Sequence, residues 1–330
     1  MIHFFYVPVP SLGETGLSAD GSFAYTKAPG RPVELYKLET SFGRSSLVLH
    51  ISLSDQLKAA TIDAVDVAFR LTADGTTHAA ILTEDQSKIL LIDLASGLLV
   101  ARAEVEAGRT MSFAEKGTSL WVGADNGHLF MVRVEQDSSG MNCKTFGPHP
   151  LEIDIAKLHV VNPLGGQPCM LLTSDQGEVL RLSSPEGLIE LTNMVDAKLK
   201  PLQLTGNTDG NVVSVLARSG EVCLSKEGYF SAINFDQKSD RFVSPFAGPL
   251  LGLAASAEHD VICFSAHTIA GLTVDHSDPQ SPAISQSDAK DNAAPYVMSS
   301  YRSTPLANHE RYITAVVQSP LTGSITALYQ

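Results

Sequence analysis

"HAAILTEDQSKILLIDLASGLLVARAEVE", residues 78 to 106, decides how this chain folds. It holds an apolar run ending at Leu82, a polar turn around Asp85 and Gln86, and a second apolar run over residues 89–92. Ser96-Gly97 and a third run follow. A buried helix face would place apolar residues three and four apart, whereas short runs split by polar turns are strands joined as hairpins. Upstream, "DAVDVAFRLTADGTT" (63–77) is a further strand with an Ala-Asp-Gly turn. Residues 63 to 106 therefore predict one complete four-stranded antiparallel unit.

The same grammar returns along the chain. It is seen in "SLWVGADNGHLFMVRVE" (119–135), "CMLLTSDQGEVLRL" (169–182), "VVSVLARSGEVCLS" (212–225), "DVICFSAHTIAGLTVD" (260–275) and "YITAVVQSPLTGSITALY" (312–329). A weaker early copy is "SFAYTKAPGRPVELYKLE" (22–39). Turn centres near 29, 86, 126, 176, 219, 267 and 321 give a spacing of about 49 residues, and periods of roughly 40–50 with four strands per unit mark β-propeller blades. The expected fold is all-β: one propeller domain of seven four-stranded blades over residues 1–330. "IHFFYVPV" (2–9) is a spare strand, and the final hairpin ends at Tyr329-Gln330 without a fourth strand. Pairing the two would close the ring and remove two free edges. Polar residues 276–310 interrupt the rhythm and are expected to be a long, partly disordered insert. Within them "APYVMSS" (294–300) is read as the first strand of the last blade.

These repeats resemble the WD40-like propeller superfamily over almost the whole chain. "LSADGSFAY" and "LTADGTTHAAILTEDQSKILLIDLASGLLV" are similar to its first-strand turn, second and third strands and Gly-initiated outer strand, with Ile92-Asp93 where that superfamily often has Trp-Asp. The chain departs from the pattern. Its single Trp, Trp121, lies on a second strand, and Gly127-His128 sits in a hairpin turn, so the resemblance is to a divergent member.

Composition narrows function. With 23 Lys and Arg against 36 Asp and Glu, the net charge of −13 repels phosphate backbones and anionic membranes, so neither direct nucleic-acid binding nor membrane insertion is expected. The cysteines Cys143, Cys169, Cys223 and Cys263 are far apart, with no C-x-x-C pair, and read as reduced thiols. "MIHFFYVPVP" lacks the basic start and long apolar run of a signal peptide, which points to the nucleus or cytoplasm.

Chemistry-bearing groups are sparse. His259, Asp260, His267, Asp275, His276 and Asp278 cluster in sequence, but their spacings match no ligand pattern and they read as loop residues. The "GNTDGN" stretch (206–211) is a turn rather than a calcium loop. No G-x-S-x-G elbow or phosphate-binding loop occurs, so no catalytic, cofactor or metal residue is assigned. Of five Ser-Pro or Thr-Pro pairs, Ser281 and Thr304 fall in the polar insert and are the candidate phosphorylation sites. The expected function is a non-catalytic protein–protein interaction scaffold, a subunit of a larger intracellular assembly such as a nuclear-pore, kinetochore, chromatin or trafficking complex. The alternative is a propeller hydrolase, such as a lactonase, or an isomerase with its site at the central channel.

Overall fold

In a computed structural model the described residues are 4–9, 13–28, 30–41, 44–52, 64–114, 118–138, 140–151, 153–161, 169–174, 179–183, 200–203, 212–216, 222–226, 229–233, 251–255, 261–274, 296–299, 312–319 and 321–330. The regular structure among them is entirely strand. After β1 (Phe4–Pro8), the first sheet is β2 (Glu14–Leu17), β3 (Phe23–Ala28), β4 (Arg31–Ser41) and β5 (Arg44–Ser52). The second is β6 (Ala64–Thr72), β7 (Gly75–Thr83), β8 (Lys88–Asp93) and β9 (Leu99–Glu104). The third is β10 (Gly108–Phe113), β11 (Ser119–Ala124), β12 (His128–Asp137) and β13 (Gly140–Pro150).

The fourth sheet is β14 (Ile155–Val161), β15 (Cys169–Ser174), β16 (Val179–Ser183) and β17 (Lys200–Gln203). The fifth is β18 (Val212–Leu216), β19 (Val222–Lys226) and β20 (Tyr229–Ile233). The sixth is β21 (Gly252–Ala255), β22 (Val261–Phe264), β23 (Ile269–Val274) and β24 (Tyr296–Ser299). The last joins β25 (Ile313–Gln318) and β26 (Ile325–Tyr329) to β1.

Both faces of β11 are buried. In β11, Leu120, Val122 and Ala124 pack against the second sheet with Leu82, Ile89 and Leu91, while Trp121 turns to the fourth sheet beside Leu158, Met170 and Leu172. Trp121 is fully buried, as the alternation of "LWVGA" predicts. Between the last and first sheets, Val7, Ala24, Tyr36 and Leu328 form one core. First strands of neighbouring sheets touch along the series β6–β10–β14, β18–β21–β25 and β25–β2. Thr15 Oγ1 donates to Thr314 Oγ1 across the last of these contacts at 2.9 Å.

Four first strands share a device absent from the sequence pattern. Register slips by one residue between Ala64 and Asp66, Gly108 and Thr110, Ile155 and Lys157, and Ile313 and Ala315. Such bulges bend a strand and increase its twist, and their recurrence at the same place is a structural repeat.

Two expectations are corrected. Residues 296–299 form the fourth strand of the sixth sheet, on β23, and not the first strand of the last. That role belongs to β25, which carries the bulge and touches β21 and β2. The final hairpin is thus a first-to-second-strand hairpin, and among the described residues its sheet has three strands. In consequence β1 pairs with β26 in parallel, Phe4 opposite Ile325 through Pro8 opposite Tyr329. The direction follows from connection: β1 must deliver the chain to the start of β2, where β26 also ends, and Gln330 Nε2 donates to Gly13 O at 2.9 Å. Apart from β24, residues 276–310 lie outside the described residues.

Candidate partner-binding surface

The first and second sheets are joined by a polar clasp and open into a cavity beside it. Asp20, in the β2–β3 turn, accepts from Ser18 Oγ at 2.7 Å and from Ser22 N and Oγ at 3.1 and 2.7 Å. From the next sheet, Thr76 N and Oγ1 donate to it at 2.9 and 2.7 Å. Burial alone would raise this carboxyl's pKa; the hydrogen bonds from Ser18, Ser22 and Thr76 outweigh it and hold the pKa below the ordinary value. An Asp at a turn therefore becomes a bridge between sheets.

The cavity occupies about 380 Å³ between the two sheets. Register explains its lining. Across β3, β4 and β5, Tyr25, Leu35 and Ile51 form one row facing the second sheet, closed by Ile81 and Ile92. Two residues along, the row is Phe23, Lys37 and Val48. Val33 and Leu35 are fully buried on the face of β4 that Lys37 shares, but Lys37 is exposed, so the apolar contact ends there. His50, the bulged residue of β5, lies against Phe23 with ring centroids 5.8 Å apart and planes tilted by 51°. Its Nε2 donates to Leu94 O, tying the edge strand to the 94–98 turn.

Asp93, at that turn, is held by Ala95 N at 3.0 Å and by Ser96 N and Oγ at 3.3 and 2.6 Å. Burial opposes its ionisation, but the hydrogen bonds from Ser96 and Ala95, with nearby His78, win and lower its pKa. Burial, then Arg70, lower the pKa of His78 against the pull of Asp93, which keeps its ring neutral near pH 7. Two exposed large hydrophobic side chains neighbour this lining: Val48, at 44%, pairs with Lys37, and Leu98, at 57%, accepts at its carbonyl from Asp93 N.

At the opposite end of β6, Asp66 Oδ2 accepts from Met111 N at 2.6 Å and Oδ1 from Val67 N at 2.8 Å. Enclosure raises its carboxyl to about 6, against the backbone donors and the Lys27 ammonium that favour ionisation; Glu14 adds to the rise. Lys27 pairs with Glu14 at 3.1 Å and donates to Val65 O, the bulged residue of β6. This constellation joins β6 to β10 and is structural.

None of the cavity residues stands out in the sequence as a site. Lys37 leaves one signal, a charge continuing the apolar face of Val33 and Leu35. Ser281 and Thr304 lie outside the described residues, and of the six residues considered as metal ligands only His267 is described. Cys263 is buried and Cys143 half-buried, both as free thiols; burial pushes the first up to about 12 and the second to about 11, against a small opposing pull from Arg70.

No protein-family model matches the chain, and no curated protein matches it. Solved structures do: 1041 chains match its fold, which is therefore too widely shared to carry a function by itself. One is the crystal structure of the RRP9 WD40 repeats, with a TM-score of 0.51 and 13% identity over 79% of this chain and 75% of that one. At that identity the likeness shows the fold alone, that of a WD40-like β-propeller.

Proposed function

We propose that this chain is a non-catalytic interaction scaffold: a seven-bladed propeller whose ring β1 closes, serving as a subunit of a larger assembly in the nucleus or cytoplasm. Propellers of this class present rims and faces to other proteins. The observation carrying the reading here is the cavity between the first two sheets, with the exposed Val48 and Leu98 next to residues of its lining. Apolar side chains gathered round a cleft are what a protein interface buries. The net charge of −13 favours protein partners over nucleic acid.

The polar insert supplies regulation in this reading. Ser281 and Thr304 are proline-directed phosphorylation sites there, and intact-mass analysis of the native protein showing no phosphate on that segment would remove them. The scaffold reading is tested by affinity purification of the full chain from its source at moderate salt. Stoichiometric protein subunits should co-elute; elution alone, at the size of a single chain, would contradict it.

A further inference from the structure

Among the described residues, the Lys37 ammonium makes no hydrogen bond and no ion pair. The one carboxylate that lines the cavity with it, Asp93, keeps its charge, but Ala95 N and Ser96 N hold both its oxygens within its own turn. Beside the ammonium lies an apolar and aromatic floor of Phe23, the His50 ring and Leu94. The volume of 380 Å³ falls at the small end of ligand clefts, about 300–1,000 Å³. A space of that volume suits one or two side chains.

We propose that this cavity binds a carboxylate carried on an apolar stem, presented by an acidic residue of a partner polypeptide. Lys37 Nζ takes the carboxylate and the Phe23 and His50 rings take the stem. The proposal rests on the scaffold reading and narrows it. A chain of net charge −13 repels acidic proteins at long range, so the ligand is a single acidic residue in a neutral or basic segment, selected by contact and not by steering. The exposed Val48 and Leu98, beside the cavity lining, then cover the apolar residues flanking it.

The test is a titration of the full chain with 3-phenylpropionate, followed by the imidazole resonances of His50, assigned by their loss in His50→Gln. The expected result is a saturable shift that weakens at least tenfold in Lys37→Met, which keeps most of the stem and removes the charge. The neutral isostere 3-phenylpropanol and inorganic phosphate should each fail to saturate over the same range. Lys37 is exposed, so its replacement leaves the fold intact, checked by an unchanged circular dichroism spectrum. Absence of saturation, equal binding by Lys37→Met, or phosphate binding as well as the aromatic acid would each overturn the proposal. Because this reads the cavity directly, its failure leaves the scaffold reading standing, whereas a chain that purifies alone sinks the scaffold and leaves the cavity result untouched.

Discussion

Asp66 makes the stability of this fold depend on pH in an unusual direction. Its folded pKa of about 6 lies above the ordinary 3.8, so the native state holds this proton more tightly than the unfolded chain does. The stability this gives is fully present below the unfolded value and is lost as pH rises from about 4 through about 6. A difference of about two pKa units corresponds to about 3 kcal/mol. Asp20, Asp85 and Asp93 have lowered pKa values, so their contribution is lost at lower pH, as pH falls below 3.8. Urea unfolding of the wild type and of Asp66→Asn, at intervals from pH 4 to pH 7, cancels everything except Asp66. The Asn amide offers one acceptor for the two donors, Val67 N and Met111 N, so the variant starts weaker at pH 4. As pH rises the gap should close by about 3 kcal/mol, because only the wild type must ionise a buried group. A gap that stays constant across this range would refute the reasoning.

Two substitutions probe the packing around β11. Trp121→Ala should cost about 3–5 kcal/mol, while Trp121→Phe should cost far less, since the buried indole N–H has no hydrogen-bond partner; native fluorescence typical of a wet indole would contradict the burial. At Gly123 an added Cβ would meet Ile155 Cγ2 at 2.6 Å, so Gly123→Ala should cost about 1–3 kcal/mol by overpacking. Ile155→Ala, which removes Cγ2, should therefore cost less in the Gly123→Ala chain than in the wild type, and an additive double mutant by thermal denaturation would show that the two do not touch.

The second sheet was legible in the sequence because its second and third strands are short apolar runs, buried over residues 79–82 and 89–92, bounded by short polar turns. The last sheet was misread for a definite reason. A hairpin of first and second strands and one of second and third carry the same apolar pattern, and only contact with β2 and β21 separates them. Trp121 could be placed because burial on both faces leaves one answer to the alternation. Lys37, His50 and Leu94 could not be gathered, since their meeting depends on the register of three strands and on the bulge at His50. The bridging of Asp20 to Thr76 and of Asp66 to Met111 was equally hidden, because each reads locally as an ordinary turn or strand residue and gains its role from the next sheet.

The central claim is that the two ends of the chain close the ring. Val7 is fully buried, and burying one Val side chain contributes about 1.5–3 kcal/mol. Phe5 and Val9 also pack in that core, and β1 adds its pairing with β26. Thermal unfolding of the chain lacking residues 1–9, beside the intact chain, tests the claim most directly. Closure predicts a clearly lower midpoint and a tendency to aggregate through the exposed edge of β26; an unchanged midpoint would contradict it.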